Sequence, residues 1–563
     1  MRQSLLVILF LNIFNGFSQN YNNPLQIPPV LSGTQFNLTL TPSSMQFYPG
    51  VNTSTYGVNG DYLGPVLYVQ QGDSLNINVT NNLPEMTTIH WHGLHIPAEM
   101  DGGPHSQIMP NDTWNVNFKM LNKASLNWFH PHPHEETGAH VTMGLAGLII
   151  VADTQEAAIN LPRTYGTDDF PLILQDRSYD SQGQFVVTAL GDSMLVNGTP
   201  NPYLDAPAQM LRLRILNAAN ARVFNIGFSD NRNFYVIGSD GGLLPAPHST
   251  NRLLISNGER MEILVDLSND LGGSLQMMSY GSELSSNIPG GASGMMNGNS
   301  PLNAADFGIL QINVSTPTSS PVTSVPSSLI PISPWNEADV DVTRIKDLTG
   351  TGSVGMSSFS INNQVFDMNV VNDTIFLNDI ELWEVVNTTN IAHPFHLHDV
   401  QFYITSRNGN PPPAYERGLK DVFLIEPWES VKFITKFENF VSETVPYMYH
   451  CHNLLHEDNG MMGQFIVVDP STNIKEKKSV NFTLNTWPNP AKDQWKLEFD
   501  SDYSNEIKLE VFDMTGKNLL SETLTMNSGK NIFNVNITSF SKGIYLIKVT
   551  GKEEFAVVKM IKE

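Results

Sequence analysis

Cys451 is the only cysteine among 563 residues, and it stands between two histidines in His450-Cys451-His452. His456 and Met461 follow five and ten residues after it. A lone cysteine has no intramolecular disulfide to make, so its thiolate is free for other chemistry. One thiolate, two imidazoles and a weak thioether form the donor set of a blue-copper electron-transfer site. On an extended strand successive side chains point to opposite faces. A strand from Met448 to His452 therefore turns Cys451 one way and both flanking histidines the other. Those two imidazoles are then available to a second metal centre, joined to the first through one short piece of backbone. Such a pair of centres suits the movement of electrons.

His-x-His recurs four times: His90/His92, His130/His132, His396/His398 and His450/His452. A single such pair is ordinarily a surface or core feature. Four pairs, two near each end of the main part of the chain, are a different matter. With His393 and His456 they account for ten of the 15 histidines. On strands each pair presents both rings to one side, and eight imidazoles can hold three copper ions with positions left open for oxygen. His95, His105, His134, His140 and His248 are expected to be satisfied or exposed side chains rather than further metal ligands.

The elements that must position these residues read as strands. Short alternating runs such as Ser74–Val79, Thr113–Phe118 and Leu211–Leu216 recur between turn signals, and long helical periodicity is scarce. This predicts an all-β chain of sandwiches or barrels. The length suits about three to four domains of roughly 150 residues. The divisions fall at 26–153, 161–314 and 339–470, with a Ser/Thr/Pro-rich linker over 315–338, a polar stretch over 471–478 and a small β domain over 480–563. Residues 1–18 carry Arg2, a short apolar run and small polar residues, the pattern of a secretory leader. No other segment approaches the length of a membrane span. An exported chain without stable membrane insertion is expected, in which one cysteine is better read as functional than as part of a disulfide scaffold.

The formal net charge is −24. From Ser471 onward 13 Lys face 12 Asp plus Glu, so nearly all the negative charge lies in the preceding part. That balance disfavours nucleic acid and anionic membranes as partners and mildly favours cationic substrates. It equally suits a solvated acidic surface that keeps an exported protein soluble.

From about Leu31 to Pro470, on His-Trp-His-Gly, Trp-Phe-His-Pro-His, His-Pro-Phe-His-Leu-His and His-Cys-His, the chain resembles the multicopper oxidases. These include laccases, ferroxidases, bilirubin oxidases and bacterial cuprous oxidases, and the bacterial three-domain branch is the nearest match. The resemblance implies three cupredoxin-like Greek-key domains and four copper ions. His393, Cys451, His456 and Met461 match the type 1 ligands; the adjacent Met462 is the competing thioether. His90 and His396 match the type 2 ligands, and His92, His130, His132, His398, His450 and His452 those of the type 3 pair. It further implies that electrons from a reductant pass through Cys451 to a trinuclear cluster between domains one and three, where O₂ becomes water. Domain two would hold those domains apart. Asp101 and Glu457 match acidic residues beside the cluster, either relaying protons or orienting histidines.

The copper-efflux branch carries a methionine-rich insertion and an Asp and a Met before the first His of His-Pro-Phe-His. Here Thr389 and Ile391 stand there, with Ala392 directly before His393, and the two pairs Met277/Met278 and Met295/Met296 are too few for that insertion. A laccase-like oxidase of phenols is the first reading. Oxidation of Cu(I), Fe(II) or Mn(II) comes second, and a non-catalytic copper-binding envelope protein is the rival from another class. Trp487-Pro-Asn-Pro490, Leu509–Met514 with Gly516-Lys517, Lys542–Lys548 and Phe555–Lys562 resemble the type A sorting domain of type IX secretion, the alternative being an ordinary appended β domain. Export through the periplasm to the cell surface or beyond, by that machinery and as a monomer, is the resulting expectation.

Overall fold

The computed structural model describes residues 20–292, 299–469, 484–501, 504–513, 517–551 and 555–563. The expected leader, Met295 and Met296, the polar stretch 471–478, and Met514 and Gly516 of the tail lie outside them. Strands dominate, and the longest helix among the described residues, Thr137–Met143, has 7 residues. The chain divides into two units, Met1–Val468 and Asp469–Glu563.

The first unit contains three successive pairs of sheets. Sheet order Val51–Val58, Gln35–Tyr48, Ser74–Asn81, Thr113–Lys119 faces a second sheet of Val30–Ser32, Val66–Gln70, Gly147–Ala152 and Ser125–Phe129. Alternation does the sorting here. In Ser74–Asn81, Leu75, Ile77 and Val79 turn inward and join Phe36, Leu38, Val116 and Ile149 in one apolar core, as period-2 patterning requires.

The middle pair is built around Asp169–Tyr179, Met210–Asn217 and Arg260–Asp266 in one sheet and Ser274–Tyr280 and Asp306–Ser315 in the other. Met210–Asn217 is buried at every position, including Arg212 and Arg214. Those two guanidiniums are tolerated because Arg214 grips Asp169 at 2.8 and 2.9 Å and Arg212 reaches Glu262. A buried charge needs such a partner.

The third pair carries Val342–Thr349, Ile380–Asn387 and Ser430–Lys436 in one sheet and Met462–Val468, Ser442–Cys451, His393–Leu397 and Val422–Ile425 in the other. Within the latter, Phe395 pairs with Cys451 and His396 with His450, which sets two of the His-rich motifs side by side. The Ser/Thr/Pro-rich stretch after residue 315 has no helix or strand over 316–336, yet it is strapped down. Val322 O accepts from Met210 N at 2.8 Å, and Leu329 N donates to Pro245 O at 2.9 Å. Val322, Val325, Leu329 and Ile330 pack on Leu161, Met210, Ile237 and Leu264.

The second unit is two small sheets, Asn485–Trp487, Gln494–Ser501, Gly529–Asn536 and Asn518–Met526, Asn505–Asp513, Gly543–Thr550, Phe555–Lys562. It has a core of its own around Trp495, Leu497, Phe499, Val511 and Ile547.

Candidate metal centres

The strand Ser442–Cys451 and the five-residue helix Leu454–Asp458 that follows it build the first centre. Asn453 caps that helix, accepting from Leu455 N, as a short polar side chain does at a helix start. The helix then brings His456 back toward Cys451. Cys451 Sγ lies 3.5 Å from His393 Nδ1 and 3.6 Å from His456 Nδ1. Both rings offer a lone pair to the sulfur. His456 Nε2 donates to Ser353 O at 3.2 Å, leaving Nδ1 unprotonated. Thr389 gives its hydroxyl proton to Asn387 Oδ1 at 2.8 Å, so its oxygen accepts from His393 Nε2 at 2.8 Å. The ring of Phe359 covers both imidazoles, 4.8 and 4.7 Å away.

Met461 belongs to the same buried cluster as Cys451, and its backbone O accepts from Cys451 N at 3.1 Å. Met462 instead packs with Phe366 and Met448. Burial pushes the Cys451 thiol far above its usual value, so the sulfur keeps its proton until a cation displaces it. Burial lowers both imidazoles, His456 to about 4, which leaves them neutral and able to bind metal. Thr389→Val removes the acceptor that orients His393. The loaded variant is expected to remain blue but to lose copper to a chelator about 10–100-fold more readily, as absorbance against chelator concentration would read.

On the other face eight imidazoles converge, four from the first sandwich and four from the third. Strand pairing ends at Cys451, one residue short of the expected strand, and His452 N is held instead by Pro394 O at 2.7 Å. His90/His92 and His130/His132 are not on ladders either. A single bridge, His90 N to His130 O at 2.7 Å and His130 N to His90 O at 3.1 Å, holds them outside any strand. The alternation survives there because both segments stay extended. His92 stacks on His396 and His90 on His398, each at 3.8 Å between centroids.

In six of the eight rings the outer nitrogen is the donor. His90 Nδ1 donates to Asp101 O at 2.9 Å, His396 Nδ1 to Asp421 O at 2.8 Å and His130 Nδ1 to Pro131 O at 2.8 Å. His398 Nδ1 donates to Asp101 Oδ2 at 2.7 Å, His92 Nε2 to Asp421 Oδ1 at 3.2 Å and His450 Nδ1 to Cys451 O at 3.2 Å. Glu457 lies across two rings, Oε1 3.3 Å from His132 Nδ1 and Oε2 3.2 Å from His450 Nδ1.

The inner nitrogens of those six rings are therefore lone pairs, and they crowd together with the inner nitrogens of His132 and His452. His92 Nδ1 is 3.4 Å from His130 Nε2 and 3.3 Å from His452 Nε2. His450 Nε2 is 3.2 Å from His132 Nε2 and 3.3 Å from His398 Nε2. His90 Nε2 and His396 Nε2 are buried without any partner. Converging lone pairs repel, and orphaned buried nitrogens are costly. Both defects vanish when cations occupy the gaps, and imidazole suits copper. The donor set thus fits copper on the chemistry of its own atoms.

The other histidines are spoken for. His95 bonds Asp399 at 2.7 Å, His105 bonds Gln464 at 2.8 Å and His140 bonds Thr87 at 2.9 Å. His134 is partly exposed beside Phe366, and His248 lies near Tyr415. Unforeseen were Asp421, Arg260, Phe359 and Ser353, none of which has a local pattern that marks it. The middle sandwich does more than space its neighbours: Asn257 Nδ2 donates to His452 O, and Arg260 grips Asp421.

Comparison with known proteins returns one description three times: family models named "Multicopper oxidase" match residues 39–156, 172–292 and 338–471. A "Secretion system C-terminal sorting domain" model matches 485–563. "Multicopper oxidase mco" of Staphylococcus haemolyticus is 33% identical over 77% of this chain and 88% of its own length. "Cell division protein FtsP" of Sodalis glossinidius is 32% identical over 79% and 92%. Among solved structures, a laccase-like multi-copper oxidase CueO from Ochrobactrum sp., with oxidase activity towards lignin model compounds and lignosulfonate, superposes with a TM-score of 0.71. It is 33% identical and covers 79% of this chain and 100% of that one.

Proposed function

Because this chain belongs to the multicopper oxidase family, we propose that it is an exported laccase-like oxidase that takes single electrons from phenols and reduces O₂ to water. His393, Cys451, His456 and Met461 would hold one copper. His90 and His396 would hold a second, and His92, His130, His132, His398, His450 and His452 a further pair. Copper, when bound, supplies the one-electron oxidation at the thiolate and the four-electron reduction of O₂ at the histidine cluster.

The chain's own residues supply the rest. Cys451 is peptide-bonded to both His450 and His452, so a covalent path joins the two centres. Phe359 packs on His393 and His456 and the Ser353 carbonyl fixes His456, beside a Cys451 sulfur that is itself wholly buried. Asp101 orients His90 through its backbone carbonyl and His398 through Oδ2, while its buried Oδ1, 3.5 Å from His90 Nδ1, makes no hydrogen bond. Glu457 stands equally close to two rings and can hold them or hand on a proton.

One observation supports the reading: the ten histidines, Cys451 and Met461 that four copper ions would need are all present and buried. That completeness favours an enzyme over a copper-binding or cell-division scaffold. Thr389 and Ile391 in place of the efflux-type Asp and Met, together with the lignin-model activity of the Ochrobactrum protein, favour phenols over metal ions. The sorting-domain match supports an outward address through type IX secretion. Steady-state oxygen uptake on a phenol, Cu(I), Fe(II) and Mn(II), measured side by side on one copper-loaded preparation, tests it. The phenol is expected to give the highest kcat/KM. A higher value for any metal ion overturns the substrate assignment, and no uptake with any reductant overturns the enzyme.

A further inference from the structure

Five charged side chains lie buried beneath the histidine cluster, where all three sandwiches of the first unit meet. Arg260, Asp240 and Glu259 come from the middle sandwich and Lys420 and Asp421 from the third. Arg260 Nη1 donates to Asp421 Oδ1 at 2.6 Å and Nη2 to Asp421 Oδ2 at 2.5 Å. Three backbone carbonyls fix the guanidinium: Leu126 O at 3.1 Å, Gly258 O at 3.1 Å and Asp240 O at 3.3 Å. Lys420 Nζ lies 3.0 Å from Asp240 Oδ2 and 2.8 Å from Glu259 Oε1.

The same Asp421 Oδ1 that Arg260 holds accepts from His92 Nε2 at 3.2 Å. His92 is thereby unusual in the cluster. It turns Nδ1 toward His130 and His452, whereas His130, His132, His398, His450 and His452 turn Nε2 inward. Asp421, His92 and His396 lie close enough to be read as a metal site themselves. The guanidinium excludes that: it occupies both carboxylate oxygens and would stand against any cation placed there. Gly93, next to His92, leaves this space. With φ +90, a Cβ there would come within 2.5 Å of Arg260 Nη2 and 2.9 Å of Asp421 Oδ2.

We propose that Asp421, clamped by Arg260, is the positioning residue that fixes the His92 tautomer and turns its Nδ1 toward the copper pair. The middle sandwich thus takes a direct part in assembling the cluster. This rests on the reading that the eight imidazoles bind copper. The pair acts through His92 and touches no reacting atom. Loss of such an outer partner typically costs about 10–100-fold in metal affinity.

Two variants separate positioning from mere cohesion of the sandwiches. Asp421→Asn keeps an acceptor for His92, since its carbonyl oxygen can occupy the Oδ1 position, but it leaves the Arg260 charge poorly matched. The double variant Arg260→Met, Asp421→Leu removes both charges of the pair, a change that is often neutral for folding, and leaves Asp240 to Lys420, 3.0 Å away, but His92 without an acceptor. Full-length protein is loaded with copper and dialysed against a chelator. Copper per chain is then counted, with the blue absorption of the Cys451 centre reporting an intact fold. Positioning predicts that Asp421→Asn retains the parent's copper content at some loss of thermal stability, while the double variant stays blue but binds about 10–100-fold more weakly at the cluster. A cohesive role predicts the reverse order. Full loading of the double variant, or copper loss from Asp421→Asn, overturns the proposal. Asp421→Asn decides alone if the double variant does not fold. A parent that binds no copper at the cluster would instead overturn the reading beneath it.

Discussion

Cys451→Ser protein, purified and supplied with copper, is expected to be colourless and to consume oxygen with a phenol only at background, against a blue and active parent. The thiolate is the soft donor that singles out a blue-copper site, and it is the atom both His393 Nδ1 and His456 Nδ1 face. A serine hydroxyl in that dry pocket does not ionise and gives the metal no comparable bond. The backbone is untouched: Cys451 N still reaches Met461 O, and Phe395 still pairs with position 451. His450 and His452 therefore keep their places. Copper analysis should then find the cluster filled and only the thiolate centre lost. Parent-like turnover in the loaded variant would refute the assignment of both centres.

The second large effect concerns the metal-free protein, whose stability should collapse on mild acidification. Burial holds His92, His130, His393, His396 and His398 far below their ordinary value of 6.5, with neighbouring imidazoles adding to it. His132 and His452 are pushed down to about 3, and His456 to about 4. The unfolded chain binds protons at these sites below pH 6.5, and the folded chain does not. Stability is therefore complete above 6.5, falls as pH drops through it, and goes on falling toward about 4. Each such histidine contributes about 1.4 kcal/mol per pH unit in that window. Thermal melts of the apo protein at pH 7, 6 and 5 should show a steep drop at each step. A flat midpoint would mean that the imidazoles are already charged in the folded state.

What could be read in advance was whatever depends on neighbours in the chain. Cys451, the four His-x-His pairs and His456 announce themselves by spacing, and the alternation in Ser74–Asn81 or Gln494–Ser501 declares its inward face. What could not be read depends on distance. Arg260 and Asp421 are 161 residues apart, and neither has a local pattern that marks it. The docking of the segment after residue 315 was hidden as well, because its apolar anchors Val322, Val325, Leu329 and Ile330 are scattered among serines and prolines. At His90 and His130 the expected strands dwindle to one bridge, since the backbone there has to open a space rather than pair.

The strap from Thr318 to Ile330 has a practical corollary. Its Thr318 and Val322 are stitched to Gln209 and Met210 of the middle sandwich, and the nest draws four rings from the first sandwich and four from the third, so it exists only when every layer has folded and seated. Copper occupancy then doubles as a gauge of assembly. Molecules that still fail to take up copper when it is supplied in excess are expected to be misassembled rather than merely metal-free.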